Sequence, residues 1–431
     1  MNILIEIVQL LAASGYQRLL SIKINRYSLF ILNHIGRLGI YTLVLLTVAC
    51  DIQDNKVEPQ DVFTKVYNND NYSDAFIPIS ITQTADSGYL ILGGKEVTDT
   101  QFLSAYLIKV NSEGEFQWER TPSENYTNPL SGLTVSGTNY QFFCMDKLNL
   151  GTYLVQVDDV TGSFSEIGYL SALQYPLAAA QVNGGGFVVQ GYNREDQKTV
   201  LARLNANAVA VWQEEYDTFE DVEEDIVKHL IRTSRPLPFM TGTVGSRFYF
   251  NGFYNYSFSM AFVNAADGSL TGVINGPGVE DAISAATQLS GSQLAMARYS
   301  FLENKIIPNY QVDVNGIEVT GDLDGFQFDE LSQQAKFQIK KVSSAGKSTV
   351  IYGTETKNGQ ILLLAYDQAN ETLLGSRYLG FGQPYQMADF STTKDGGLIV
   401  LGSTFITGRF ARLALFKLSK TDLEMLVGGQ I

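Results

Sequence analysis

One pattern constrains the fold of this 431-residue chain more than any other. Residues 79–94 hold a strand-like stretch, a polar Asp86-Ser87-Gly88 turn, the apolar run Tyr89-Leu90-Ile91-Leu92 and a Gly-Gly pair; the same order returns at residues 385–402. Each copy continues into a second hairpin, residues 105–118 in the first and 412–423 in the last. A third clear copy starts at Pro176, passes through Asn183-Gly184-Gly185-Gly186 and residues 187–190, and ends on residues 201–205 and Val211-Trp212-Gln213. Fainter copies occupy residues 129–167, 226–273, 281–320 and 337–379.

A period of about 50 residues with four short strands per unit specifies an all-β fold, the β-propeller. The units count to seven four-stranded blades, with six or eight open because the middle copies are faint. Separate β-sandwiches would not produce one continuous period from residue 79 to residue 423. The apolar runs suit strands buried on both faces, and the glycine after each run allows close backbone approach near the axis. A ring must also close. The segment Val62-Phe63-Thr64-Lys65-Val66-Tyr67 resembles the outer-strand stretch Val211-Trp212-Gln213-Glu214-Glu215-Tyr216, which predicts that it pairs on the edge of the last blade, beside residues 423–427.

Composition removes several function classes. The formal net charge of −15 argues against a nucleic-acid partner, since phosphate recognition needs clustered Lys and Arg. His229 is the only histidine after residue 50, which leaves no inventory for a Cys/His zinc site and little for a Ser-His-Asp triad. Cys144 lies in an apolar strand pattern and reads as a core residue. No cofactor is implied.

The N-terminal region carries an address. The apolar run 38–50 follows Arg26 and Arg37, ends Thr47-Val48-Ala49-Cys50, and gives way at once to polar Asp51-Ile52-Gln53-Asp54-Asn55. It is too short to span a bilayer as a mature helix. These residues resemble the signal peptides of bacterial lipoproteins, although Thr47 stands where that family prefers Leu. The resemblance implies cleavage before Cys50, acylation of Cys50, and a lipid anchor at the envelope of a Gram-negative bacterium, on the outer membrane or cell surface. Residues 1–49 are then signal peptide, with 1–36 accounted for by an over-extended start; residues 50–60 are the lipidated cysteine and linker, and 61–431 the propeller. The repeats themselves resemble those of bacterial exported propellers, in which a Gly-Gly-Tyr/Phe strand precedes a Leu-Ile-Lys-Val-Asp hairpin ending on Trp. That motif speaks to fold and not to function.

In a four-stranded blade, the loops between second and third strands share one face with the inter-blade connections. This puts residues 96–104, 193–199, 253–258, 298–308, 355–359 and 403–409 on one rim. The candidate binding residues there are Tyr254 and Tyr256, whose rings suit stacking on a sugar or peptide, with Arg194, Arg298 and Arg409. The acidic connector 214–225 is rich in hard oxygen ligands for Ca²⁺, but it lacks EF-hand spacing and reads more simply as a solvated face. The expectation is a non-catalytic binding or assembly platform for a protein partner or glycan, membrane-bound through Cys50. The alternative is a glycan hydrolase or lyase using acids from the same rim, among them Glu96, Asp99, Glu195, Asp196 and Glu303.

Overall fold

The computed structural model describes residues 62–67, 75–97, 100–232, 236–344, 346–406 and 410–428. Cys50, the 50–60 linker, Asp99 and Arg409 lie outside the described residues. The chain divides into two units, residues 1–58 and 59–431, and everything below concerns the second.

The fold is a β-propeller, and the described strands trace seven antiparallel meanders. Blade 1 takes Phe76–Gln83, Tyr89–Val97, Thr100–Val110 and Phe116–Arg120. Blade 2 takes Thr134–Ser136, Asn139–Asp146, Thr152–Val157 and Phe164–Leu170; blade 3 takes Ala178–Gln181, Phe187–Asn193, Lys198–Leu204 and Ala210–Asp217. Blade 4 is built from Met240–Val244, Arg247–Tyr254, Ser257–Asn264 and Leu270–Asn275. Blade 5 follows with Asp281–Ser290, Gln293–Ser300, Glu303–Gln311 and the short Phe326–Gln327, and blade 6 with Gln338–Ser344, Lys347–Glu355, Ile361–Asp367 and Leu373–Leu379. Blade 7 combines Tyr385–Thr392, Leu398–Ile406 and Phe410–Leu418 with a fourth strand from the other end of the chain, Phe63–Tyr67. Tyr126–Thr127 pairs with both blade 1 and blade 2, and Ile317–Val319 adds a parallel strand outside blade 4.

The ring therefore closes as the sequence predicts, with one correction. Phe63–Tyr67 pairs antiparallel with Phe410–Leu418, from Phe63 opposite Lys417 to Tyr67 opposite Leu413. Residues 423–427, expected at that edge, belong instead to a helix, α2 (Lys420–Gly428). Ser419 caps it: its Oγ and backbone N–H both donate to Asp422, whose own N–H returns to the Ser419 Oγ. Leu423, Leu426 and Val427 then bury on the blade 6–blade 7 core rather than extending a strand.

The resemblance between the first strand and the outer strand of blade 3 has a physical basis. Tyr67 Oη donates to the Gly114 carbonyl in the blade 1 hairpin at 2.8 Å, and Tyr216 Oη donates to the Gly268 carbonyl in the blade 4 hairpin at 2.6 Å. Trp118 and Trp212 likewise donate from their ring N–H groups to carbonyls in the next blade's outer hairpin, Asp159 at 3.3 Å and Ala265 at 3.1 Å. Aromatics of the outer strands thus fasten these blades to their successors: Tyr67 in blade 7, Trp118 in blade 1, and both Trp212 and Tyr216 in blade 3. On the inner side Asp389 of blade 7 takes an ion pair from Lys340 of blade 6 at 2.7 Å and hydrogen bonds from Ser80 Oγ and the Ile81 N–H of blade 1.

Within blades, the repeated glycine after the apolar run packs where the sequence places it. A Cβ on Gly93, Gly191 or Gly402 would sit 2.8, 2.5 and 2.6 Å from the carbonyl oxygens of Ile77, Gln174 and Gln386. A second repeated device ties down the first hairpin turn. Lys109, at the Lys of Leu-Ile-Lys-Val, is fully buried and reaches back to Thr84 Oγ1 at 2.6 Å and Asp86 at 2.7 Å. Lys417 does the same in blade 7, bonding Asp395 at 2.7 Å. Blade 3 has glycines in place of the acid, and there Arg203 donates to the carbonyls of Gly185 and Phe187.

Partial burial by itself raises the Asp86 carboxyl, but Lys109, the Thr84 hydroxyl and the Gly88 N–H outweigh it and hold it down to about 2. The Asp395 carboxyl is lowered too, with burial opposing and Lys417 and Thr393 prevailing. Cys144 is a core residue, and burial pushes its thiol well above the usual cysteine value, so it is not poised to react.

Candidate functional site

The loop face over blades 3 and 4 is shaped by the connector between them. This acidic segment, expected as a solvated run, opens with its last three residues a helix that continues beyond it, α1 (Glu223–Leu230), because Ile226 and Leu230 lie four residues apart on one face. Glu223, Glu224 and Asp225 fill the first turn, where the helix dipole favours carboxylates, and Lys228 and His229 fill the last. The apolar face of α1 packs with Tyr175 and Tyr192 of blade 3, Phe253 and Phe258 of blade 4, and Tyr299 of blade 5. The helix thus seals a seam shared by three blades.

His229 stacks edge-on against Phe239 with ring centroids 4.9 Å apart, and its Nδ1 is buried without a hydrogen-bond partner. Burial, with the charges of Arg232 and Lys336 adding to it, lowers its pKa to about 3. A neutral imidazole held this way is a packing element rather than a base for proton transfer near neutral pH.

Immediately before α1, the connector presents Phe219, and the blade 4 loop presents Tyr256 against it. Their rings stack at 5.1 Å with an interplanar angle of 17°. Both remain largely in solvent, at 59% and 63% exposure. Asn255, Tyr256 and Phe219 all have positive φ, at 48°, 63° and 59°. Left-handed backbone is costly for aromatic residues, and two cross-loop bonds hold it: Asn255 N–H to the Asp217 carbonyl and Tyr256 N–H to the Thr218 carbonyl, both 3.0 Å. Thr218 is itself buried, its single hydroxyl proton shared between the carbonyls of Gln197 at 2.8 Å and Glu220 at 2.7 Å.

The expected site residues divide as follows. Tyr256 is exposed on the rim as anticipated. Tyr254 is the last residue of its strand and half-buried against the blade 3–blade 4 core; burial raises its hydroxyl, with Asp217 adding to it. Arg194 sits in the adjoining blade 3 loop and pairs with Glu223 at 2.8 Å, so Tyr256 and Arg194 meet the same connector from two sides. Glu223 also accepts the Tyr175 hydroxyl at 3.1 Å.

Arg298 is a correction. It lies inside strand Gln293–Ser300, only 4% exposed, facing the seam between blades 4 and 5, because the expected loop at 298–308 is a tight hairpin turning on Phe301 and Leu302. The sequence signal missed most clearly is Phe219, which sits in the acidic run as an apolar residue with no strand or helix to bury it.

The candidate acids are not gathered. Glu195 and Asp196 are exposed on the blade 3 loop, Glu96 is exposed near the end of strand Tyr89–Val97 in blade 1, and Glu303 is the exposed first residue of strand Glu303–Gln311 in blade 5. Two clefts of about 470 Å³ each flank the closing strand, one lined by Tyr67, Phe76, Tyr106 and Glu119, the other by Arg377, Phe381 and Tyr385. Neither is lined by those acids or by Tyr254 or Tyr256. Among the described residues no three or more His, Cys, Asp or Glu side chains converge as a metal site requires, and no helix is long and apolar enough to cross a membrane.

No family model matches the sequence, and no curated protein matches it either. Solved structures do. The chain is similar to a virginiamycin B lyase from Staphylococcus aureus in complex with quinupristin, at 12% identity and TM-score 0.50, over 83% of this chain and 99% of that one. The propeller domain of the trilobed protease from Pyrococcus furiosus, described as having an open velcro topology, aligns at 12% identity and TM-score 0.46 over the same shares. An acylaminoacyl peptidase from Pyrococcus horikoshii aligns at 13% identity and TM-score 0.48, over 86% of this chain and 54% of that one. At these identities the likeness is one of fold, and propellers carry unrelated activities.

Proposed function

We propose that this chain is an envelope lipoprotein, anchored through Cys50, whose propeller serves as a non-catalytic binding or assembly platform for a protein partner or glycan. The observation that carries the binding role is the exposed Phe219–Tyr256 stack, held in costly backbone geometry on a loop face. Large rigid rings give contact area at low entropic cost, which suits recognition. The anchor rests on the signal-peptide-like run ending at Cys50, and the location at a Gram-negative outer membrane or cell surface rests on that same resemblance.

Two experiments test the reading. Radiolabelled palmitate should be incorporated into the wild-type chain and not into Cys50→Ser; equal labelling of both would overturn the anchor. Co-purification from detergent-solubilised membranes should recover a partner with the wild type and lose it with the Phe219→Ala/Tyr256→Ala pair. Recovery of wild type and variant alike, both alone, would remove the platform.

A further inference from the structure

We infer that the loop face over blades 3 and 4 docks a lysine- and arginine-rich segment of a protein partner, seated on the Phe219–Tyr256 stack. The inference rests on the platform reading and narrows it to one class of occupant. Its first support is the stack itself: two aromatic rings, each more than half exposed, fixed by backbone bonds rather than left to rotate freely. An exposed aromatic pair of this kind is an apolar surface in search of cover.

The second support is charge. The two segments that frame the stack, residues 193–198 and 215–228, hold nine carboxylates and three cations. All three cations are already engaged within the frame: Arg194 with Glu223 at 2.8 Å, Lys198 with Asp217 at 3.5 Å and Glu215 at 3.9 Å, and Lys228 with Glu224 at 2.5 Å. Glu195, Glu220, Asp221 and Asp225 of these segments remain exposed, none of them in an ion pair among the described residues. The surplus is six negative charges, a large part of the chain's −15.

A guanidinium or ammonium group satisfies both features at once, because an aromatic face attracts cations and the carboxylates attract them over longer range. Anionic ligands are repelled by the same frame. A neutral glycan could use the rings but gains nothing from the charge. The favoured occupant is therefore a basic segment with apolar side chains interleaved, its cations reaching the carboxylates and its Arg or apolar groups covering the rings.

The test uses the full chain in non-ionic detergent and a fluorescein-labelled peptide of three Gly-Arg-Leu-Arg repeats, read by anisotropy. Affinity is expected to fall about tenfold as salt rises from about 50 to about 300 mM, because steering and rim charge pairs are screened. At fixed salt, Phe219→Ala/Tyr256→Ala should weaken binding about tenfold. Glu195→Gln/Glu220→Gln/Asp225→Asn should weaken it and flatten the salt dependence, while Glu113→Gln, in the outer hairpin of blade 1, changes nothing. Far-ultraviolet circular dichroism confirms that each variant is folded.

Salt-independent binding, or binding indifferent to either set of substitutions, overturns the inference. So does capture of a neutral oligosaccharide, and not the peptide, through Phe219 and Tyr256. In that last case co-purification still depends on the stack, the platform stands, and only the class of occupant falls.

Discussion

The turn clamp of blades 1 and 7 makes a quantitative prediction that runs against intuition. Removing the half-exposed acid should destabilise more than removing the buried lysine. Lys109 and Lys417 have side chains 2% and 3% exposed, whereas their partners Asp86 and Asp395 are 53% and 50% exposed. Asp86→Ala strands an ammonium group inside the blade. Breaking a buried pair costs about 3–5 kcal/mol, and exposure of the acid reduces that to about 2 kcal/mol. Asp159, 3.6 Å from Lys109, is a second carboxylate that softens the loss further in blade 1. Lys417 forms an ion pair with Asp395 alone, so Asp395→Ala should keep the full cost of about 2 kcal/mol and exceed Asp86→Ala.

Lys417→Met keeps the aliphatic volume and leaves an acid that water and turn donors can still solvate, for a loss of about 1 kcal/mol or less. Lys109→Met would also leave the buried Asp159 carboxylate without its cation, so blade 7 gives the clean comparison. The expected order of destabilisation is Asp395→Ala, then Asp86→Ala, then Lys417→Met. Urea unfolding followed by circular dichroism gives the midpoints at unchanged slope. Trp118, directly opposite Lys109 on the neighbouring strand, gives a local fluorescence signal for blade 1. A Lys417→Met variant as costly as Asp395→Ala would refute the reasoning. The acid limit has a fixed sign: a carboxyl held at about 2 lends stability fully present above its unfolded value near 3.9 and lost as pH falls through about 2, so the Asp86 clamp should survive mild acid.

Three further outcomes are expected. Val66→Pro, which removes a donor from the closing strand, should destabilise by about 1–2 kcal/mol and speed amide exchange across Phe410–Leu418; unchanged exchange there would mean the ring does not depend on that ladder. Gly397→Ala drives a Cβ into the Leu418 carbonyl oxygen and should cost about 1–3 kcal/mol by thermal unfolding, whereas Gly321→Ala, with open space around it, should be near neutral. Because His229 is held neutral at about 3, the unfolded chain binds its proton first. Stability should fall as pH drops from about 6.5 towards 3, by at most about 1.4 kcal/mol per unit from this residue, and His229→Leu should flatten that slope in urea midpoints taken across the range.

What the sequence made legible was whatever repeats. The apolar runs, the glycines behind them and the likeness of the first strand to residues 211–216 reflect contacts that recur from blade to blade, so one copy interprets another. The errors fall where the repeat is interrupted. Residues 423–427 are apolar enough for an edge strand, and only the Ser419–Asp422 cap marks them as helix α2. In the 214–225 run, charge hides the Ile226/Leu230 spacing just beyond it, which turns a solvated connector into helix α1. Arg298 reads as a rim residue because a basic side chain suggests a loop; cross-strand pairing with Ile283 and Lys305 puts it in a sheet instead. Phe219 was hidden because exposure of an aromatic is a tertiary outcome. Its partner Tyr256 is 37 residues away, and nothing local announces that the two rings will meet.

The pairing of Phe63–Tyr67 with Phe410–Leu418 also fixes an order of events. Thr64 and its partner Phe416 are separated by almost the whole propeller, so this strand is made before the seven blades it helps to close and pairs after them. Joining ends about 350 residues apart costs about 5 kcal/mol of chain entropy if the intervening chain is unstructured, and far less once the intervening blades have formed. Ring closure is therefore favoured after the intervening blades have formed, blade 7 keeps an open edge until then, and a chain truncated before residue 410 lacks the strand on which Phe63–Tyr67 pairs.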